Sequence, residues 1–174
     1  MRRIVIFGNS GSGKSTLAKK LSSSENLAHL DLDTVAWQAT QIPVRENLAK
    51  SKKIIDKFLD ENQRWVIEGC YSDLIALVLH KATELHFLNP GVEVCIENCK
   101  NRPWEPHKYA SLEKQNENLN LLIQWIREYE ARNDEFSLKS HRKLFDEFKG
   151  KKMEYLRTIE TSNPSLQRTG FAGR

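Results

Sequence analysis

Residues 4–16 read IVIFGNSGSGKST, an unbroken apolar run that ends in a glycine-rich loop. A continuous apolar run reads as a strand buried on both faces, as in a parallel sheet covered by helices. The loop fits G-x-x-x-x-G-K-[ST], with Gly8, Gly13, Lys14 and Ser15 in the fixed positions. Glycines there let backbone N–H groups curl around an anion, and the helix that follows turns its positive end towards it. Strand, loop and helix in this order form the context that a phosphate cradle requires. The candidate nucleotide-holding residues are therefore Gly8, Asn9, Ser10, Gly11, Ser12, Gly13, Lys14, Ser15 and Thr16. Lys14 is expected to reach the β- and γ-phosphates of a bound nucleotide, and Ser15 to offer its hydroxyl to Mg²⁺.

The rest of the chain alternates strand-like and helix-like segments. After the first strand, helical spacing runs from Lys14 to about Ser23. Ala28 to Asp31 reads as a second strand, and a helix is expected between Arg45 and Asn62. Trp65 to Ile67 is a third strand, and Leu74 to Val78 a short helix. Glu84 to Leu88 is a fourth strand, and Val92, Cys95, Ile96 and Cys99 follow at helical spacing. Pro103 and Pro106 forbid a regular helix around them. Ser111 can cap a helix that aligns Leu112, Leu119, Leu122, Ile126 and Tyr129. A helix near Ser140 to Lys149, ended by Gly150, precedes a fifth strand over Lys152 to Leu156. Such alternation implies an α/β fold, a parallel sheet with helices on both faces, with ligands bound beyond the carboxyl ends of the strands.

At 174 residues one domain is expected. We read residues 1–161 as that domain. Residues 162–174, rich in Ser, Pro, Gly and Arg without amphipathic period, read as a flexible tail. A net charge of +4 is spread along the chain. A phosphate-rich small ligand explains it as well as a nucleic acid would, and no recognisable nucleic-acid motif or concentrated basic face is present. No apolar run approaches the ~20 residues of a membrane span. The odd count of three cysteines, without zinc-type spacing, suits a reduced, cytoplasmic setting. Cys95 and Cys99 read as small apolar core residues of one helix.

Further chemistry is expected where strands end. In an extended HLDLD segment Asp31 and Asp33 share a face. Asp33, lying further out, is the candidate to help hold Mg²⁺, orient an acceptor hydroxyl or accept its proton. Glu68, at the end of the third strand, suits a magnesium-bound water, and Gly69 would let the chain pass close to the phosphates. Arg102 and Lys108, in the proline-braced segment, suit a basic flap that neutralises charge on a transferring group. Trp104 and Tyr109 read as anchors of that flap.

GNSGSGKST, HLDLD, WVIEGCY and RPWEPHKY together resemble the adenylate-kinase-like group of P-loop proteins, which includes shikimate kinase and the nucleoside monophosphate kinases. Within it, the chain looks closest to small bacterial proteins labelled DNA topology modulation proteins or putative adenylate kinases. The resemblance covers roughly residues 1–156. It implies a three-layer P-loop NTPase fold with a five-stranded parallel sheet in order 2-3-1-4-5. It implies an acceptor region around residues 33–62 and a short lid around residues 101–110. Only Arg45 and Arg64 flank the helix after the second strand, where adenylate kinases carry an arginine set for AMP, so AMP is disfavoured as acceptor. The expected activity is transfer of the γ-phosphoryl group of ATP to a small molecule, with Lys14, Asp33 and Arg102 as catalytic residues and Ser15, Asp33 and Glu68 around the metal. The rival readings are a nucleotide-dependent regulatory module with little turnover and a nucleic-acid-binding protein. The oligomeric state stays open.

Overall fold

The computed structural model describes residues 1–40, 43–106 and 110–159. Five strands, β1 (Arg3–Gly8), β2 (Ala28–Asp31), β3 (Trp65–Gly69), β4 (Glu84–Leu88) and β5 (Lys151–Tyr155), form one sheet in order β2-β3-β1-β4-β5. All neighbouring pairs are parallel. The helices are α1 (Lys14–Glu25), α2 (Asp33–Ala36), α3 (Leu48–Glu61), α4 (Ser72–Val78), α5 (Val92–Lys100), α6 (Leu112–Arg127) and α7 (Leu138–Glu147). This is the expected strand order in the expected α/β architecture.

The apolar run of β1 explains the layering. Val5 and Phe7 point into a core shared with Trp65, Ile67, Leu85 and Phe87 and covered by α3, α4 and α7. Ile4 and Ile6 point to the other face, against Val66, Leu17 and Ala18 of α1. All four β1 side chains are fully buried, each contributing roughly 1.5–3 kcal/mol. The Phe7 and Phe87 rings stack with centroids 4.8 Å apart. A third cluster joins Cys95, Ile96 and Cys99 of α5 to Ile126 of α6, so these two cysteines are core residues, as expected. Exposed Lys151 and Lys152 open the edge strand β5 and discourage edge-to-edge pairing.

Several local readings change. HLDLD does not stay extended. The chain turns at Leu32 into the single turn of α2, because the Asp31 carboxylate accepts the Asp33 N–H at 2.9 Å. The helix expected from Arg45 starts at Leu48, where Asn47 caps it by accepting the Ala49 N–H. Ser111 caps α6 as expected, but Tyr129 lies beyond that helix. Helix α7 begins earlier than expected because Ser137 caps it, accepting the Ser140 N–H. Its end does not use Gly150 as a left-handed cap; a Cβ on Gly150 would instead meet the Phe148 ring at 2.6 Å. Leu156 falls outside β5 and is exposed.

Candidate active site

The loop after β1 is shaped by three glycines with positive φ: Gly8 (149°), Gly11 (78°) and Gly13 (94°). A Cβ on Gly8 would lie 2.1 Å from the Leu88 carbonyl oxygen, and one on Gly11 would lie 2.3 Å from that of Cys95. The loop is therefore pressed against β4 and α5 as tightly as backbone allows. Asn9 pins it from within: its Nδ2 donates to the Ile126 carbonyl at 3.1 Å and its Oδ1 accepts the Ser10 N–H at 2.8 Å. Asn98 of α5 donates to the Gly11 carbonyl at 2.9 Å. Gly13 opens α1 without a side-chain cap and no acid occupies the first turn. The first-turn N–H groups thus lack intrahelical partners and face the loop's concavity, a ready anion site. Lys14 folds back over it, its Nζ donating to the Asn9 carbonyl at 2.8 Å.

The carboxylates stand across from this cradle. Glu68 ends β3 beside Asp31 of β2, and the Leu32 N–H donates to the Glu68 carbonyl at 2.9 Å. The Glu68 side chain is buried, its Oε1 has no hydrogen-bond partner, and His29 Nε2 stands 3.8 Å away. Gly69 lines the cleft, and a Cβ there would meet Leu32 Cβ at 2.8 Å. Asp33 projects from α2, and the Tyr71 hydroxyl donates to its Oδ1 at 2.6 Å. Burial pushes the Tyr71 phenol well above its usual range and the neighbouring Cys70 thiol up to about 12, so both stay protonated near neutral pH. His141 of α7 braces this corner from below. Its Nε2 donates to the Cys70 carbonyl at 2.9 Å, which leaves Nδ1 to accept from the Tyr129 hydroxyl at 2.7 Å. Burial pulls its pKa down to about 4, so the ring is neutral.

Residues 102–106 of the expected lid form the far wall. Gln115 of α6 holds them: its Oε1 accepts the Glu105 N–H at 2.9 Å and its Nε2 donates to the Pro103 carbonyl at 3.2 Å. Arg102 pairs with Glu105 at 3.1 Å. Trp104, expected as an anchor, is 46% exposed and lines the cleft. Lys108 and Tyr109 lie outside the described residues, as does the expected tail at 162–174.

One cleft of about 600 Å³ unites these parts, lined by Ser10 to Thr16, Asp33, Glu68, Arg102 and Trp104. Gly8 and Asn9 of the same loop are not among the residues that line it. The cleft also takes in Thr158 and Ile159, which follow β5 and which sequence reasoning passed over. Arg45 does not stand free as an anion grip. It is paired with Asp73 at 2.8 Å and Glu135 at 3.1 Å, and lies over the Tyr71 and Phe136 rings.

A model of the shikimate kinase family matches residues 10–149. The chain belongs to the shikimate kinase family. Family and fold together are those of a P-loop phosphotransferase, the group that the motifs resemble. The uncharacterized protein YqaC of Bacillus subtilis (strain 168) is 35% identical over 68 residues, which span 39% of this chain and 38% of that relative. The deoxyadenosine kinase from M. mycoides, solved with bound dATP, superposes with a TM-score of 0.50 at 12% identity, over 92% of this chain and 93% of that one. Shikimate kinase from Bacteroides thetaiotaomicron shares 18% identity over 73% of this chain and 78% of its own, with a TM-score of 0.46. At 12% identity the likeness to the deoxyadenosine kinase is one of fold. Among the described residues no helix is long and apolar enough to cross a membrane.

Proposed function

We propose that this member of the shikimate kinase family transfers the γ-phosphoryl group of ATP to a hydroxyl of a small-molecule acceptor. The observation that carries this reading is the convergence of Lys14, Asp33, Glu68 and Arg102 on one cleft at the carboxyl ends of the strands. The loop and the N-terminus of α1 hold the phosphate chain. Lys14, released from the Asn9 carbonyl, moves onto the β- and γ-phosphates. Asp33 orients the acceptor hydroxyl and takes its proton. The acceptor oxygen forms a bond to the γ-phosphorus as the bond from that phosphorus to the β,γ-bridging oxygen breaks, and ADP leaves with the bond's electron pair. Arg102 neutralises charge on the transferring group and helps exclude water, the role the sequence also suggests for Lys108.

The donor set fits Mg²⁺. The buried Glu68 carboxylate keeps an oxygen without a hydrogen-bond partner, Ser15 and Asp33 line the same cleft, and His29 flanks Glu68. Among the described residues no three His, Cys, Asp or Glu side chains converge as a cage, which suits an ion that arrives with the nucleotide and keeps its waters. Held there by Ser15, Asp33 and Glu68, Mg²⁺ would offset the negative charge of the phosphate chain. The three cysteines, all free thiols, support a reducing, cytoplasmic setting.

The test is a screen of nucleosides, sugars and small hydroxy acids with ATP·Mg²⁺, read by ADP release. Wild type should phosphorylate at least one class, and Asp33→Asn should lose roughly 10²–10⁴-fold in turnover while still binding ATP. Equal turnover by the two proteins would overturn the assignment of Asp33. ATP binding without turnover on any acceptor would favour the regulatory reading.

A further inference from the structure

Tyr71 closes the WVIEGCY segment with no role assigned to it there, yet its hydroxyl sits between two functional elements. The Trp37 Nε1–H donates to it at 2.6 Å, and it donates to Asp33 Oδ1 at 2.6 Å. The direction of this chain follows from chemistry. An indole nitrogen can only donate, so the phenolic oxygen accepts from Trp37 and its single proton is committed to the carboxylate. The ring itself cannot wander. It is 2% exposed, meets Phe136 edge-on at 5.3 Å, and carries the Arg45 guanidinium 4.8 Å from its centroid. Arg45 is in turn fixed by Asp73 and Glu135. Trp37, by contrast, is 38% exposed and forms an isolated antiparallel bridge with Arg45, which ties it to the chain segment after α2.

We propose that Tyr71 is a positioning residue for Asp33, and that Trp37 transmits the placement of the acceptor-side segment to that carboxylate through it. The inference rests on the kinase reading given above and deepens it. Among the described residues the Tyr71 hydroxyl bonds Asp33 and Trp37 and no phosphate-loop side chain, so its effect belongs on turnover and not on nucleotide affinity. Trp37 acts one bond further away, because the Tyr71 hydroxyl can still donate to Asp33 when the indole is gone but is no longer steered.

The experiment uses the full chain with Tyr71→Phe, Trp37→Phe and Asp33→Asn. ATP·Mg²⁺ affinity is measured by calorimetry, and turnover by ADP release with water as acceptor and with any acceptor that the screen yields. Tyr71→Phe should lower kcat about 10- to 100-fold, the effect of one hydrogen bond to a charged group, with ATP affinity within about two-fold of wild type. Trp37→Phe should lower kcat less, in the same direction. A readout free of turnover is the ¹H–¹⁵N resonance of the Trp37 indole in the ligand-free protein. Asp33→Asn should move it, because the Tyr71 proton loses its charged acceptor, whereas Ser15→Ala should not. If wild type releases no ADP with water or any acceptor, the kinase reading itself fails; if Asp33→Asn turns over like wild type, the assignment of Asp33 and the positioning role fail together. If Asp33→Asn is impaired while Tyr71→Phe and Trp37→Phe match wild type, or if the indole resonance ignores Asp33→Asn, the positioning role fails and the kinase reading stands. Should Tyr71→Phe not fold, Trp37→Phe and the indole resonance decide.

Discussion

Gly11→Ala isolates the packing of the phosphate loop against α5. Gly11 has φ 78°, where an L side chain is strained by about 1–3 kcal/mol. Its new Cβ would also lie 2.3 Å from the Cys95 carbonyl oxygen and 2.8 Å from Cys99 Sγ. Neither neighbour yields readily: the first is helix backbone, and both cysteines are buried against Ile96 and Ile126. Forcing a methyl into such a contact costs about 1–3 kcal/mol more. The sum, roughly 2–6 kcal/mol, corresponds to a fall in Tm of roughly 5–20 °C for a domain of this size. Gly91→Ala is the matched control. Gly91 has φ 97°, but its Cβ would find nothing within 4 Å, so only the conformational cost applies. Urea unfolding of both variants should place Gly11→Ala below Gly91→Ala by about 1–3 kcal/mol. Gly11→Ala should also weaken ATP binding, because the loop must leave α5 to make room. Equal stability losses in the two variants would refute the clash argument.

Two pH predictions follow from buried titratable groups, with a third expectation at the lid. His141 has a folded pKa near 4, pulled down from an ordinary 6.5 by burial. The unfolded chain therefore binds the extra proton first. Stability from this group is complete above pH 6.5 and falls as pH drops towards 4, by on the order of 3 kcal/mol in chemical-denaturation curves. His141→Phe should flatten that slope, and an unchanged slope would contradict the assignment. Glu84 is held below the usual carboxylate range by His86, Arg2 and Lys151. Its contribution is complete above its unfolded pKa and is lost at lower pH, so Glu84→Gln should lower stability at pH 7 and narrow the gap to wild type as the pH drops below about 4. Gln115→Ala removes the side chain that holds Glu105 and Pro103, and should raise proteolytic nicking within residues 102–106 in the absence of nucleotide.

Much of this was legible in the chain. The unalternating run of β1 could only be a strand covered on both faces, and the strand–helix alternation after it carried the sheet order through the family resemblance. The phosphate loop was legible because its glycines answer to backbone geometry that no other residue tolerates. Cys95 and Cys99 were readable as core because they share one helical face with Ile96. What was hidden depends on contacts between distant positions. A four-residue helix such as α2 has no period to read, and Asp31 launches it through a local cap that an extended pattern conceals. Tyr71 meets Asp33 and Trp37 across separations of 38 and 34 residues, brought together by the pairing of β2 with β3. The surroundings of Arg45 were hidden too, because nothing in sequence places Asp73, Glu135 and three aromatic rings around it. Gln115 gave no signal as the brace of the proline segment.

The central claim is that the loop holds ATP through Lys14. Calorimetric titration of ATP·Mg²⁺ into wild type and Lys14→Ala tests it most directly. A lost hydrogen bond from a charged ammonium to phosphate is worth about 1.5–3 kcal/mol, so the variant should bind at least about ten-fold more weakly. Equal affinity in the two proteins would contradict the account.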